Sequence, residues 1–262
     1  MTPHPESPPN TRVPTRIHRR LLRWMLVLLA LWAVAAYLVS PLIWEKYFKH
    51  HPMPADAPCL THTADGHPGD PLNLSLAGSD AELIHAMTAA GWHPADPITF
   101  ETSMRIAVDS VLRKPDASAP VSNLFLFGRK QDLAFEQPVG DSPRQRHHVR
   151  FWRRNDPEDG RTAWFASATF DERVGLSYAT GQITHHIGPD VDAERDRIMS
   201  QLKAQGWTRQ EHYVDAFQQP PEGRNGGGDP WRTDGRLGVI VLQTMAAAPA
   251  NKNPAEPPPN TP

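Results

Sequence analysis

The sequence of 262 residues contains a single cysteine, Cys59. This scarcity excludes an intrachain disulfide framework and any cysteine-rich zinc or iron–sulfur site, because each needs several thiolates close together. Familiar catalytic signatures are missing too: we find no HExxH zinc motif, no GxSxG nucleophile elbow and no phosphate-binding loop ending in Lys-Ser or Lys-Thr. The sequence therefore predicts no cofactor and offers no strong catalytic motif.

Positive charge is scarce after the first fifty residues. Residues 1–50 contain seven Lys+Arg and two Asp+Glu, whereas residues 51–262 contain 20 Lys+Arg and 27 Asp+Glu. An acidic body is a poor general nucleic-acid binder, because neutralisation of phosphates dominates that affinity. We therefore expect no nucleic-acid partner.

One long apolar segment is present, WMLVLLALWAVAAYLVSPLIW at residues 24–44, and it contains no charged residue. At 1.5 Å per residue a helix of this length spans about 30 Å, the thickness of a hydrocarbon core. Five arginines precede it: Arg12, Arg16, Arg19, Arg20 and Arg23. By the positive-inside rule we expect a transmembrane helix in a bacterial inner membrane, with the N-terminus cytoplasmic and the main domain periplasmic.

A cleaved signal peptide is the alternative interpretation of this segment, because a basic region before an apolar run is also its signature. The small residues Ala33, Ala35 and Ala36 lie in the middle of the run, however, and its end, SPLIWEKYF, lacks a small-x-small cleavage site. These features favour a retained anchor.

The 28 prolines help to divide the chain. Residues 1–23 are predicted to be a cytoplasmic basic tail, 24–44 the transmembrane helix and 45–70 a proline-rich spacer that lifts the domain off the bilayer. Residues 71–245 are predicted to form the folded domain, and 246–262 a disordered tail. The Gly-rich stretch GRNGGGDP at 223–230 is interpreted as a flexible connection.

The domain is predicted to be α+β, with a largely antiparallel sheet and two to three helices. Strand candidates are numerous: PLNLSL, NLFLFG, DLAFEQ, RHHVRFWRR, TAWFASATFD, ITHHI, HYVDAF and LGVIVL. Amphipathic patterns predict helices in AELIHAMTAA and VDAERDRIMSQLKAQ, and a third at 103–112. Each of the first two follows a strand and ends at Gly-Trp, which suggests a divergent internal duplication.

Two stretches carry a family resemblance: APVSNLFLFGRKQDLAFEQPVGDSPRQRHHVRFW at 119–152 and TFDERVGLSYATGQITHHIGPDVDAERD at 169–196. They resemble the LssY carboxy-terminal domain family over roughly residues 70 to 215. That family occurs as a stand-alone domain behind a membrane anchor, and fused behind membrane domains of the DedA and lipid-phosphatase kinds. The resemblance implies an envelope protein of poorly defined function, and it supplies no catalytic residues to carry over.

Basic residues alternate along the predicted strand RQRHHVRFWRR. Successive side chains of a strand point to opposite faces, so one face carries a set that we call the Arg stripe. Its members are Arg144, Arg146, His148, Arg150, Trp152 and Arg154. Guanidinium groups suit bidentate contact with phosphate or carboxylate, so Arg146, His148, Arg150 and Trp152, together with His186, are predicted to bind an anionic lipid headgroup or glycan. The alternative is an ion-paired face, neutralised by Asp156, Glu158, Asp159, Asp171 and Glu172.

Two histidines are candidates for chemistry. The alternation places His148 and His186 on the polar faces of their strands, and His147 and His185 on the apolar faces. If these strands are neighbours, His148 and His186, joined by Asp171 or Asp190, form a metal or acid–base site. The alternative without a functional role is that both are surface histidines on half-exposed strands.

The leading functional hypothesis is a non-enzymatic envelope protein that binds an anionic lipid, glycan or protein partner. The first alternative is a metal- or His-dependent hydrolase of phosphorylated envelope lipids, with His148, His186 and Asp171 as its active residues. A third possibility is an interaction module of an envelope complex, which predicts an exposed apolar patch.

Overall fold

The computed structural model describes residues 16–50, 59–95, 123–140, 145–154 and 161–246. The helices are α1 (Arg16–Val34), α2 (Ser40–His50), α3 (Asp80–Ala89) and α4 (Val191–Ala204), with a π-helical segment, Ala35–Val39, between the first two. The strands are β1 (Leu60–His62), β2 (Pro68–Pro71), β3 (Leu74–Ala77), β4 (His93–Pro94), β5 (Phe125–Leu126), β6 (Arg129–Lys130), β7 (Leu133–Pro138), β8 (Arg146–Arg153), β9 (Ala163–Leu176), β10 (Ile183–Ile187), β11 (Thr208–Val214), β12 (Glu222–Arg224), β13 (Pro230–Arg232) and β14 (Leu237–Leu242). The α+β prediction is confirmed. The helix predicted at 103–112 lies outside the described residues.

The N-terminal apolar segment forms one almost continuous helix. An 18-residue window within Arg19–Lys46 has a mean hydropathy of 2.4, so this helix is long and apolar enough to cross a membrane, although a signal sequence passes the same test. The π-helical turn changes the hydrogen-bond register, because the Ser40 N–H donates to the carbonyl of Ala35, five residues earlier.

The main sheet has the strand order β11-β14-β3-β9-β8-β7-β4, and its pairs are antiparallel except for β14 with β3. Strand β10 also pairs with β9, beyond the point where β3 ends. Asp171 of β9 is in register with Arg146 of β8 and with Ile187 of β10. Strands β8 and β10 therefore lie on opposite edges of β9 and are not neighbours.

Helices α3 and α4 cover one face of this sheet. The core between them contains Val149 and Phe151 of β8, together with Trp92 and Trp207. Their burial follows from the alternation of β8, because odd-numbered side chains of this strand share the helix face.

The two helices begin and end in similar ways. Ser79 and Glu82 form a capping box at the start of α3, and the Asp190 carboxylate caps α4 by accepting from the Ala193 N–H. Each helix is followed by a glycine with a left-handed backbone, Gly91 at φ 82° and Gly206 at φ 73°. Positive φ favours glycine, which explains why Gly-Trp follows both helices.

The opposite face of the sheet is covered as well. A small sheet in the order β2-β1-β5-β6 packs there, and Trp152 of β8 joins Leu72, Leu124 and Leu126 in a second apolar cluster. The even-numbered face of β8 is therefore interior, which corrects the expectation of a half-exposed strand. The folded domain also includes residues 59–70, which the sequence assigned to the spacer, because the edge strand β2 tolerates Pro68 and Pro71.

Candidate functional site

A pocket of about 90 Å³ lies where the even-numbered face of β8 meets the covering layer. Strand β8 supplies Arg146, His148 and Arg150, and β9 supplies Asp171. The remaining wall comes from the β1–β2 hairpin, from the segment before β5, from β10 and from the loop between β12 and β13. These segments contribute Thr63, Gly69, Asp70, Asn123, Leu124, Thr184, His185, Ile187, Asn225, Gly226 and Gly227. The pocket therefore joins the Arg stripe to segments that are distant in sequence.

Both pocket arginines are buried and ion-paired. Arg146, 5% exposed, donates from Nη1 to Glu136 Oε2 at 2.8 Å and from Nε to Asp171 Oδ2 at 3.1 Å. Arg150, 3% exposed, donates from Nη1 to Asp70 Oδ2 at 3.2 Å. Carboxylates compensate the loss of hydration that burial imposes on each guanidinium. Of the acidic residues expected to neutralise the Arg stripe, Asp171 does pair with Arg146. Asp156, Glu158, Asp159 and Arg144 lie outside the described residues.

His148 sits between the two charged pairs. Its Nε2 is 2.8 Å from Arg150 Nη1 and 2.6 Å from Thr169 Oγ1. A guanidinium only donates, so Nε2 accepts and the ring proton is on Nδ1. That nitrogen is 3.1 Å from Asp171 Oδ1, within ion-pair distance but not aligned as a hydrogen bond. His148 is therefore held in one tautomer at the pocket wall.

Asp171 is the carboxylate that the pocket groups share. Burial by itself raises the pKa of Asp171, but the fields of His148, His185 and Arg146 and the close approach of the His148 ring outweigh it and leave that pKa well below its usual range. Asp171 is therefore ionised at neutral pH, as its contacts with two cationic or donor side chains require.

The second pocket histidine is His185, not His186. Burial, together with the fields of Arg146, His148 and Arg150, lowers the pKa of His185 from 6.5 to about 4 against the opposing field of Asp171. Among the described residues no side chain makes a hydrogen bond with its ring. His185 is therefore a neutral imidazole at pH 7 whose nitrogens are available to a ligand.

His186 lies elsewhere, against the β12–β13 hairpin. Its Nδ1 is 2.6 Å from Asp229 Oδ1, and it does not line the pocket that holds His148. The expected approach of His148 to His186 required neighbouring strands, but β9 separates β8 from β10, and two strand spacings amount to about 10 Å. Asp190, the other proposed bridge, is occupied as the cap of α4.

Trp152 and the Gly-rich stretch also differ from what the sequence predicted. Trp152 is fully buried in the second apolar cluster and does not line the pocket. The Gly-rich stretch is not a loose connection, because Asn225 donates to Asp70 Oδ1 at 3.1 Å and Asp229 holds His186. Sequence reasoning missed Asp70, Asn225 and His185; the polar residues flanking the Gly-rich run were the one signal that pointed to a built loop.

No metal centre is evident in the described ranges: no group of three or more His, Cys, Asp or Glu side chains there is placed to hold an ion. The arrangement instead presents donors and acceptors in near balance, with two arginines facing two lining carboxylates, Asp70 and Asp171. Such a wall suits a small polar group that is held by directed hydrogen bonds.

Comparison with known families assigns the chain. The family model described as LssY C-terminus matches residues 54–237, which is more than half of the sequence. The chain belongs to the LssY C-terminal family. Every residue that lines the pocket lies inside the match, so the pocket is a feature of the LssY C-terminal domain itself. No curated protein and no solved structure matches the chain significantly.

Proposed function

We propose that this LssY C-terminal domain is a membrane-anchored, periplasmic binding domain that takes the phosphate or carboxylate of an envelope lipid or glycan into its pocket. The observation that carries the proposal is the pair of buried arginines, Arg146 and Arg150, side by side at an open pocket. Guanidinium groups bind phosphate and carboxylate through parallel hydrogen bonds, which is why arginine is common in anion sites.

Electrostatics supports an anionic ligand although carboxylates are already present. Burial lowers the pKa of Arg150, and neighbouring Arg146 lowers it further, while Asp70 and Asp171 oppose both effects without cancelling them. The surroundings of Arg150 therefore still disfavour its positive charge. A bound anion would relieve this imbalance, whereas a bound cation would increase it.

Contacts between the N-terminal helix and the domain favour an anchor over a cleaved signal. Gln182 Nε2 donates to the Ala36 carbonyl at 2.9 Å, and the Ile183 N–H donates to the Tyr37 hydroxyl at 3.0 Å. Trp44 Nε1 donates to the carbonyl of Ala179 at 3.2 Å. Cleavage after the apolar run would remove all these partners from the domain.

The hydrolase alternative has one observation in its favour. Asp171, His148 and Thr169 form a carboxylate–imidazole–hydroxyl chain, an order found in nucleophilic catalysis. Thr169 is 0% exposed and does not line the pocket, however, and Arg150 occupies the same imidazole nitrogen. We therefore rank binding first, since the hydroxyl cannot reach a substrate in this arrangement.

Native mass spectrometry of the full-length protein in detergent tests the proposal. The probes are phosphatidylglycerol, the zwitterionic phosphatidylcholine and inorganic phosphate. We expect phosphatidylglycerol adducts in preference to phosphatidylcholine, and loss of those adducts in the double variant Asp70→Asn with Arg150→Gln. This variant removes both charges of one pocket pair, so neither member of that pair is left as a lone buried charge.

The matched control is Asp80→Asn with Arg153→Gln, the same chemical change in an exposed pair on the domain surface. Adducts must survive in the control, and thermal unfolding must show that both variants are folded. Competition by inorganic phosphate would identify the phosphate as the recognised group. Equal adducts with both lipids, or unchanged adducts in the pocket variant, would overturn the proposal. Release of phosphate from phosphatidic acid, abolished by His148→Gln, would instead favour the hydrolase.

A further inference from the structure

The hairpin that joins β9 to β10 exposes apolar side chains. Leu176 is 56% exposed, Ile183 47% and Tyr178 91%. Leu176 and Ile183 are directly opposite each other in the ladder, so their side chains share one face of the hairpin. We call residues 176–183 the hairpin tip. Apolar residues grouped at one projecting end mark a contact surface.

The hairpin tip lies against the apolar N-terminal helix. The three hydrogen bonds described above connect Gln182, Ile183 and Ala179 to the helix between Ala36 and Trp44. Ala36, in turn, is 4% exposed, in a helix most of whose large apolar side chains are exposed. The tip is thus held at one fixed level along the helix.

The missing N–H of Pro41 explains why the side-chain amide of Gln182 bonds to the helix at this level. Pro41 has no N–H, so in the π register the carbonyl of Ala36 lacks a partner five residues later. The alternative donor, the Ser40 N–H, is already bonded to Ala35. Gln182 Nε2 occupies the vacant acceptor. In a hydrocarbon environment an unbonded carbonyl costs several kcal/mol, so this amide has a defined role.

We propose that the hairpin tip reaches the boundary between the headgroup layer and the hydrocarbon beside the anchor helix, with Tyr178, Leu176 and Ile183 facing lipid. The occupant of this apolar surface is therefore the membrane, because the tip continues directly from the helix that crosses it. This inference rests on the proposed role of that helix as an anchor.

The level of the contact agrees with the dimensions of a bilayer. A hydrocarbon core takes about 20 helical residues, and a count from Leu21, directly after the arginine pair, ends near Ser40. Ala36 and Tyr37 then lie within the last turn inside the hydrocarbon, and Trp44 lies about 6 Å beyond its boundary, in the headgroup layer. The domain thus rests on the bilayer instead of being lifted from it by a spacer.

This placement also locates the pocket. His185 follows Ile183 by two residues, about 7 Å along an extended strand, and it forms part of the pocket wall. The headgroup layer is about 5–8 Å thick on each side of the hydrocarbon. The pocket therefore lies at the level of lipid headgroups.

Nitroxide depth measurements on the full-length protein in phosphatidylcholine–phosphatidylglycerol vesicles test this inference. Cys59 is replaced by alanine, and single labels are placed at Tyr178→Cys in the tip, Leu28→Cys in the helix and Gln210→Cys on exposed β11. Power saturation compares access of oxygen, which concentrates in hydrocarbon, with access of a water-soluble nickel chelate. We expect the oxygen-to-nickel ratio at Tyr178→Cys to be several-fold above that at Gln210→Cys and below that at Leu28→Cys.

Each other outcome has a separate meaning. A membrane value at Leu28→Cys with an aqueous value at Tyr178→Cys overturns the hairpin inference and leaves the anchor intact. An aqueous value at Leu28→Cys overturns the anchor itself. A Tyr178→Cys label that is immobilised and shielded from both reagents would assign the tip to a protein partner and also overturn the inference. Unchanged thermal unfolding of the three labelled proteins verifies that they are folded.

Discussion

Acid should destabilise this protein through His185, and the size of the effect follows from its surroundings. The pKa of His185 is about 4 in the folded domain and 6.5 in an unfolded chain. Between these values the unfolded state binds the proton first, so stability is lost as the pH falls from 6.5 towards 4. At about 1.4 kcal/mol per pH unit, the complete effect is about 3 kcal/mol, of which about 1 kcal/mol appears between pH 7 and 5.5.

The variant His185→Gln removes this titration while keeping a polar side chain at the pocket. We expect the melting temperature of the wild type to fall by about 2–4 °C more than that of the variant between pH 7 and 5.5. The assay is thermal unfolding of the full-length protein in detergent, followed by tryptophan fluorescence. His212→Gln, which removes a histidine at an exposed position on β11, is the control for the loss of an imidazole as such.

The comparison isolates one group, because the remaining histidines are common to both proteins. Identical pH dependence in wild type and His185→Gln would refute the reasoning, since it would mean that His185 is solvated and that its ring does not face a desolvated, positively charged pocket. A variant more sensitive to acid than the wild type would also contradict the sign of the effect.

Two further predictions concern the backbone. Gln182→Leu should destabilise the protein in bicelles by about 1–3 kcal/mol, because the Ala36 carbonyl loses its donor. In a Pro41→Ala background, which restores a backbone N–H, Gln182→Leu should lower the free energy of unfolding by less. Chemical unfolding in bicelles measures this double-mutant cycle. Additive effects of the two substitutions would rule out the proposed coupling. Gly206→Ala should cost about 1 kcal/mol, because its φ of 73° is unfavourable for alanine, whereas exposed Lys203→Ala should change the free energy of unfolding by no more than about 0.5 kcal/mol. Equal melting temperatures for the two variants would contradict this account.

Local patterns in the sequence were sufficient for most of the architecture. The period of apolar residues and the terminal Gly-Trp pairs predict α3 and α4 and where they end, while the caps at Ser79 and Asp190 were found in the structure. Alternation in RHHVRFWRR correctly places Arg146, His148 and Arg150 on one face of β8, as confirmed by their shared pocket. These features depend on neighbours a few residues away, so one sequence contains them.

The N-terminal apolar helix was predicted only in part. Its length and composition are visible in the sequence, and so is Pro41. Nothing in the sequence indicates that a glutamine 146 residues later bonds to the carbonyl that this proline leaves without a backbone donor. A contact over that distance depends on how the β9–β10 hairpin projects from the finished sheet.

The sequence by itself therefore determined the family, the α+β class, the apolar helix and the common face of the Arg stripe, because each is a local or long-motif property. Tertiary structure decided that this face is interior, since segments 59–72 and 123–130 fold over it, and that Asp70 and Asn225 complete the pocket. Strand order decided the histidine: with β9 between β8 and β10, Asp171 is shared by His148 and His185, while His186 turns to Asp229. Periodicity reports which side chains share a face, but only the assembled layers determine what covers that face.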